Sequence, residues 1–185
     1  MRSRHKNILS VLFNNIDGNA SNFDHFIADL QQYSERFSVI SIAETNIHED
    51  QKDLYQITGY RSEYNSKRKE KKKGSGVAIY LDEKYQFMRV EKFCSCSENL
   101  ETLFVEVTNM EIPQLVGVIY RPPSGNCLEA LNELDALMKQ LPNENVTITG
   151  DFNIDLLSHT RISDEFEQTI YSNNFVPLIS LATHE

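Results

Sequence analysis

Asp151 and Asn153 have the types and spacing for chemistry on water or phosphate. In Thr147-Ile148-Thr149-Gly150-Asp151-Phe152-Asn153-Ile154-Asp155 a β-prone run, 145–149, ends in a glycine, and an acid and an amide follow at alternate positions. Residues two apart on a strand share a face, so a backbone extended past Gly150 projects the Asp151 carboxylate and the Asn153 amide together. The glycine permits a turn or the close approach of another segment. A carboxylate beside an amide at a strand end suits a hydrated divalent cation or an activated water. The same residues also suit an Asx-stabilised turn with no chemistry. Other strand ends must decide between the two.

Three of them carry reactive groups. An apolar segment at 7–13 runs into Asn14-Asn15-Ile16-Asp17-Gly18; a second, 37–43, stops at Glu44; a third, 115–120, ends in Tyr120 and halts at Arg121-Pro122-Pro123, because proline cannot continue a ladder. Each has a bland explanation: Asn15 a turn former, Glu44 a solvated acid, Tyr120 a half-buried aromatic. Their recurrence at strand ends favours a site, since groups so placed are rigidly held and accessible.

The elements that position them follow from periodicity. Phe23, Phe26, Ile27, Leu30 and Tyr33 recur at helical spacing behind a start at Ser21 with Asp24 three residues on. Leu128, Leu131, Leu134, Leu137, Met138 and Leu141 predict a helix from Asn126 that Pro142 closes. Residues 47–60 read as a loop with short local structure. Strands are predicted at 77–81, 85–90 and 103–107, a last helix at 163–171, and a final apolar segment at 175–181. Strands outnumber helices and alternate with some of them, which points to mixed α and β layers around one core.

Composition bounds the class. At 185 residues and 40% hydrophobic the chain fits one packed domain, expected to be monomeric. No apolar run approaches the ~18 residues of a membrane span, and the basic N-terminus lacks the unbroken apolar core of a secretory signal. Three cysteines give no disulfide framework. Cys94-Ser95-Cys96 lacks a second pair at zinc spacing, and reduced thiols indicate an intracellular protein; no membrane partner is expected, and a nuclear location is one reading of the basic run at 67–73. The formal charge is −9, yet Lys67-Arg68-Lys69-Glu70-Lys71-Lys72-Lys73 carries six positive charges and one negative. A uniformly basic nucleic-acid binder is excluded; a basic loop on an acidic body is not. The loop is either a phosphate-tracking element or a solvated, nuclear-localisation-like cluster.

Five segments together resemble the endonuclease/exonuclease/phosphatase family, and most closely the apurinic-endonuclease-like domain of non-LTR (LINE-type) retrotransposons. They are Asn15-Ile16-Asp17-Gly18, Ile42-Ala43-Glu44-Thr45, Gly74-Ser75-Gly76-Val77-Ala78-Ile79-Tyr80, Ile119-Tyr120-Arg121-Pro122-Pro123 and Gly150-Asp151-Phe152-Asn153-Ile154-Asp155, in the family's order. The resemblance implies an α/β (α+β) fold, a four-layer α/β/β/α sandwich with the site at the mouth between two sheets. It implies Glu44 as main metal-ligating carboxylate with Asn15 beside it, and Asp151 as the residue that positions or deprotonates the attacking water. Asn153 becomes a donor to the phosphate and Tyr120 a phenol touching it. The implied cofactor is Mg²⁺, with Mn²⁺ a substitute. The implied partners are nucleic acid, chiefly DNA, and a reverse transcriptase region of the same polyprotein; on the phosphate-tracking reading of the basic loop, Lys71, Lys72, Lys73 and Arg121 are the candidate nucleic-acid contacts.

One departure qualifies this. The family ends with a late aspartate strand and a Ser-Asp-His-type motif, whereas after Asp151 this chain offers only His159 and His184, neither in that context. The expectation is a domain over 1–185 that is C-terminally truncated, lacks the terminal strands and the catalytic histidine, and is weakly active or inactive, because catalytic groups act as a unit. Two alternatives stand beside the DNA endonuclease: a family member acting on RNA or phospholipid phosphates, and a non-catalytic remnant that binds nucleic acid or a partner.

Overall fold

The computed structural model describes residues 8–18, 20–47, 49–66 and 74–179. Two sheets stack face to face. The first holds β1 (Val11–Asn15), β2 (Val39–Ala43), β3 (Tyr60–Asn65) and β4 (Val77–Asp82) in the order β1-β2-β4-β3. The second holds β5 (Phe87–Arg89), β7 (Glu101–Val107), β8 (Gln114–Tyr120) and β9 (Val146–Asp151) in the order β5-β7-β8-β9, with the two-residue β6 (Ser95–Cys96) also paired to β7.

Each sheet contains one parallel pair, β1 with β2 and β8 with β9. Parallel neighbours need a crossover, supplied by α1 (Ala20–Leu30) and α2 (Cys127–Met138); α3 (Arg161–Ser172) lies beside α2. The register sets Asn15 opposite Ala43, and Tyr120 opposite Asp151. The C-terminal ends of both βαβ units therefore open at the same mouth, the position where open α/β sheets bind ligands.

Strand alternation divides the core into three slabs. Val39, Ala43, Val77, Ile79 and Leu81 face Leu103, Val105, Val107, Val116 and Val118 between the sheets. The other face of the first sheet, Ile40, Ile42, Ala78 and Tyr80, receives Phe23 and Phe26 of α1. The other face of the second, Phe104, Leu115 and Ile119, receives Leu131, Leu134 and Met138 of α2 and Phe166 and Ile170 of α3. The layers are therefore helix, sheet, sheet, helices, the expected α/β/β/α sandwich. Each such side chain contributes roughly 1.5–3 kcal/mol on burial, and burial on both faces explains the near-continuous apolar runs of β2, β4 and β8. Gly117 gives Phe104 its place, since a Cβ there would lie 2.3 Å from the ring.

Several expectations shift. β1 starts and ends later than 7–13, so Asn15 is its last residue rather than part of a following turn. Tyr33 falls beyond α1 and is exposed. β3 lies between the end of the expected loop, 47–60, and the basic run, 67–73, where no strand is predicted; its sequence, Tyr-Arg-Ser-Glu-Tyr-Asn, buries only Tyr64 because it is an outer strand. The Asn126 cap forms as predicted, its side chain accepting from the backbone N–H groups of Leu128 and Glu129. Residues 175–179 form no regular element, and the rest of the predicted last apolar segment lies outside the described residues. Among the described residues no helix is long and apolar enough to cross a membrane.

Candidate active site at the mouth of the sheets

The side chain of Asn15 joins the two sheets. Its Nδ2 donates to Glu44 Oε1 at 2.8 Å and to Asp151 Oδ2, also at 2.8 Å. Its Oδ1 accepts from the backbone N–H of Asp17 at 3.0 Å. Every polar atom of the amide is thus assigned, and reversing it would set a carbonyl against two carboxylates. Glu44 and Asp151, from different sheets, converge on one nitrogen.

Glu44 reaches this place through an unusual backbone. Its φ is +53°, and that of Asn46 is +47°. Left-handed residues other than glycine are uncommon and persist where their surroundings over-determine them, often at functional sites. Here Thr45 N–H donates to Gly76 carbonyl at 3.1 Å and Asn46 N–H to Ser75 carbonyl at 2.8 Å, extending the β2–β4 pairing beyond the strands. Gly74 has φ +72°, and a Cβ on it would lie 2.9 Å from Glu44 Oε2 and 3.6 Å from the Tyr120 hydroxyl. Only a glycine lets the chain pass this close.

Tyr120 is fully buried and its hydroxyl is bonded to Glu44. Burial pushes the phenol's pKa well up; the bond to Glu44 and the charges of Glu44, Asp151 and Glu101 push it the same way. The group stays a proton donor.

At Asp151 the backbone leaves the sheet instead of remaining extended. Asn153 adopts φ +49°, its N–H donates to Asp151 Oδ1 at 2.9 Å, and its Nδ2 donates to Arg121 carbonyl at 2.9 Å. The Asx turn and the site are thus the same structure: one carboxylate oxygen shapes the turn and the other accepts from Asn15. The acid and amide come together by this turn, not by strand alternation, because the ladder to β8 ends at the Tyr120–Asp151 pair. Asp155 does something separate, accepting from Leu157 N–H to start a short helical turn.

Arg121 lies beneath this turn. Its side chain donates to the carbonyls of Phe152, Asn153 and Pro122, and the residue is 7% exposed. It braces the turn, its guanidinium engaged with these backbone carbonyls. Lys71, Lys72 and Lys73 lie outside the described residues, as does His184. His159 is exposed at the end of the turn that Asp155 starts. Among the described residues no histidine bonds to Asp151 or Glu44.

Sequence reasoning missed Glu101. It is 3% exposed on β7, opposite Tyr120, and accepts from Gly76 N–H at 2.5 Å. Its signal is one of alternation: it shares a face with Leu103, Val105 and Val107, which belong to the core between the sheets.

The donor set decides which ion fits. Two carboxylates offer hard oxygen ligands, held together by the Asn15 amide, and among the described residues neither Glu44 nor Asp151 forms an ion pair with a lysine, arginine or histidine. No three acidic, histidine or cysteine side chains cluster as a metal cage among the described residues. Mg²⁺ is commonly held by only one or two carboxylates and keeps several waters. Glu44 and Asp151 fit that ion, and Mn²⁺ by the same chemistry.

The chain has the fold of endonuclease/exonuclease/phosphatase proteins. It is similar to the endonuclease domain of TRAS1, a telomere-specific non-LTR retrotransposon, at TM-score 0.65 and 12% identity, over 90% of this chain and 71% of that one. It is similar to an AP endonuclease from Archaeoglobus fulgidus at TM-score 0.60 and 16% identity, over 89% and 71%. It is also similar to D. rerio TDP2 in complex with a single-strand DNA product, at TM-score 0.59 and 16% identity, over 92% and 66%. No family model matches the sequence, and no curated protein matches it.

Proposed function

We propose that this chain is the endonuclease-like domain of a mobile element, with a site for metal-assisted hydrolysis of phosphodiester bonds in nucleic acid, chiefly DNA. The observation that carries the proposal is the Asn15 amide donating at 2.8 Å to carboxylates of both sheets. The fold shared with two endonucleases, and with TDP2 solved in complex with a single-strand DNA product, supports it. The likeness to a retrotransposon endonuclease domain supports a setting in which a reverse transcriptase region of the same polyprotein, working in the nucleus, uses the nick.

Mg²⁺ or Mn²⁺, held by Glu44 beside Asn15, would neutralise charge on the phosphoryl oxygens. The residues do the rest. Asp151, with one oxygen in the turn and one on Asn15, orients the attacking water and takes its proton. Tyr120, kept protonated by burial and neighbouring carboxylates, donates toward the phosphate. Asn153 spends one amide hydrogen on Arg121 carbonyl and keeps the other for a phosphate oxygen.

Mn²⁺ titration followed by electron paramagnetic resonance tests this. The chain is expected to bind Mn²⁺, and Glu44→Ala and Asp151→Asn to weaken binding at least about tenfold. Binding indifferent to both substitutions overturns the proposal. Plasmid nicking in Mg²⁺ is expected to be slow and lost in Glu44→Ala, since no histidine among the described residues supports Asp151. Metal binding without any cleavage of DNA, RNA or phospholipid headgroups would favour a non-catalytic binding role.

A further inference from the structure

We propose that Glu101 is a positioning residue that sets the separation of Glu44 from Tyr120 and Asp151 across the two sheets, and so controls how well the site takes a divalent cation. The inference rests on the metal-binding role of Glu44 proposed above.

Glu101 is an acid on the apolar inner face of β7, 3% exposed, beside a slab built chiefly from valine, leucine and isoleucine. A carboxylate is retained in such a place only with strong partners. One partner is the Gly76 N–H, at 2.5 Å to Oε2, a charge-assisted bond from the second sheet to the segment leading into the first.

The contact continues through the backbone. Gly76 donates its N–H to Glu101, and its carbonyl accepts from Thr45 N–H at 3.1 Å. Ser75 carbonyl accepts from Asn46 N–H at 2.8 Å. Those bonds flank Glu44 on its C-terminal side and hold it at φ +53°. Gly76 has φ +91°, and a Cβ on it would lie 2.6 Å from Thr45 Oγ1, so the segment is pressed closely against the residues after Glu44. On the other side Glu101 is the cross-strand partner of Tyr120, itself in register with Asp151. A short path therefore runs from Asp151 through Tyr120 and Glu101 to Gly76, Thr45 and Glu44. Asn15 spans the same gap from the solvent side. Glu101 spans it from within.

This differs from general core stabilisation in what it predicts. Glutamine retains an oxygen that accepts from Gly76 N–H; alanine does not. Mn²⁺ affinity is to be measured by electron paramagnetic resonance well below each variant's melting temperature, with backbone hydrogen exchange at Gly76 and Thr45. Glu101→Ala is expected to weaken Mn²⁺ binding about tenfold and to speed exchange at both amides, while Glu101→Gln stays within about twofold of the unaltered chain, less than the loss on removing a supporting group. Val105→Ala, on the same face of β7, serves as the stability control and is expected to lower the melting temperature with Mn²⁺ affinity unchanged. Equal affinity in Glu101→Ala and the unaltered chain overturns the inference while leaving the metal site standing, and so does an equal loss in Val105→Ala. Absence of Glu44-dependent Mn²⁺ binding in the unaltered chain overturns the metal site and this inference with it. Slow, unchanged exchange in Glu101→Ala also counts against the tether.

Discussion

Asn15 holds two carboxylates that would otherwise repel each other. An amide suits this because it supplies two hydrogens on one nitrogen, with its oxygen turned away onto Asp17 N–H. Asn15→Asp replaces the shared donor with a third negative group. The variant is expected to be less stable in EDTA by about 1–3 kcal/mol, the cost of leaving partly buried acceptors unmatched. Mn²⁺ at ~100 times its Kd adds up to about 2.7 kcal/mol to any chain that binds it only when folded. A third carboxylate strengthens attraction for the cation, so at one fixed Mn²⁺ concentration the difference between melting temperatures with and without Mn²⁺ should be larger in Asn15→Asp than in the unaltered chain. Equal melting in EDTA would mean that the three groups do not converge. Asn15, Glu44 and Asp151 were each legible as a reactive residue ending an apolar run. Their shared nitrogen was not, because the Asn15–Asp151 bond joins residues 136 apart, and the left-handed backbone of Glu44 and Asn153 has no sequence signature of its own.

At the scale of elements, the two βαβ units deliver these groups, and Gly150 fixes where the second delivers its own. A Cβ on Gly150 would lie 2.0 Å from the carbonyl oxygen of Ile119, a backbone atom of the neighbouring strand. Gly150→Ala must therefore push β9 away from β8. It is expected to cost about 1–3 kcal/mol, as overpacking does, and to displace Asp151, the next residue. Gly117→Ala is the useful contrast, since its Cβ meets the Phe104 ring on the helix side of the sheet. Both should lower the melting temperature, but only Gly150→Ala should weaken Mn²⁺ binding; equal losses would show that β9 does not set the position of Asp151. The helices and inner strands could be predicted because their apolar spacing is strong. β3 could not, since an outer strand with one buried side chain carries no such pattern. Glu101 was hidden for the opposite reason: it occupies an apolar position, and only the stacking of the sheets shows what it meets.

Across the whole molecule, charge decides how a polyanion approaches. The chain carries a formal −9, and six of its 18 lysines and arginines lie in the run from Lys67 to Lys73. An acidic body repels DNA, so the basic run is the part able to draw phosphates in. Of the described residues that flank the run, Gly74 sits against Glu44 and Tyr120, and Ser66 Oγ donates to the carbonyl of Ile47, three residues after Glu44, at 3.1 Å. The run was plain in the sequence, but the place of Gly74, the described residue that follows it, was not. Arg121, expected alongside it, is occupied beneath the Asp151 turn, which leaves the lysines as the phosphate contacts we propose. Replacing Lys71, Lys72 and Lys73 with glutamine is expected to lower affinity for duplex DNA. It should also flatten the dependence of log K on log salt by about 0.9 for each phosphate contact removed. Arg121→Gln should leave that slope unchanged. Fluorescence anisotropy across a salt series separates the cases: a slope untouched by the triple substitution assigns the run to a solvated or localisation role and leaves the acidic site without its guide for DNA.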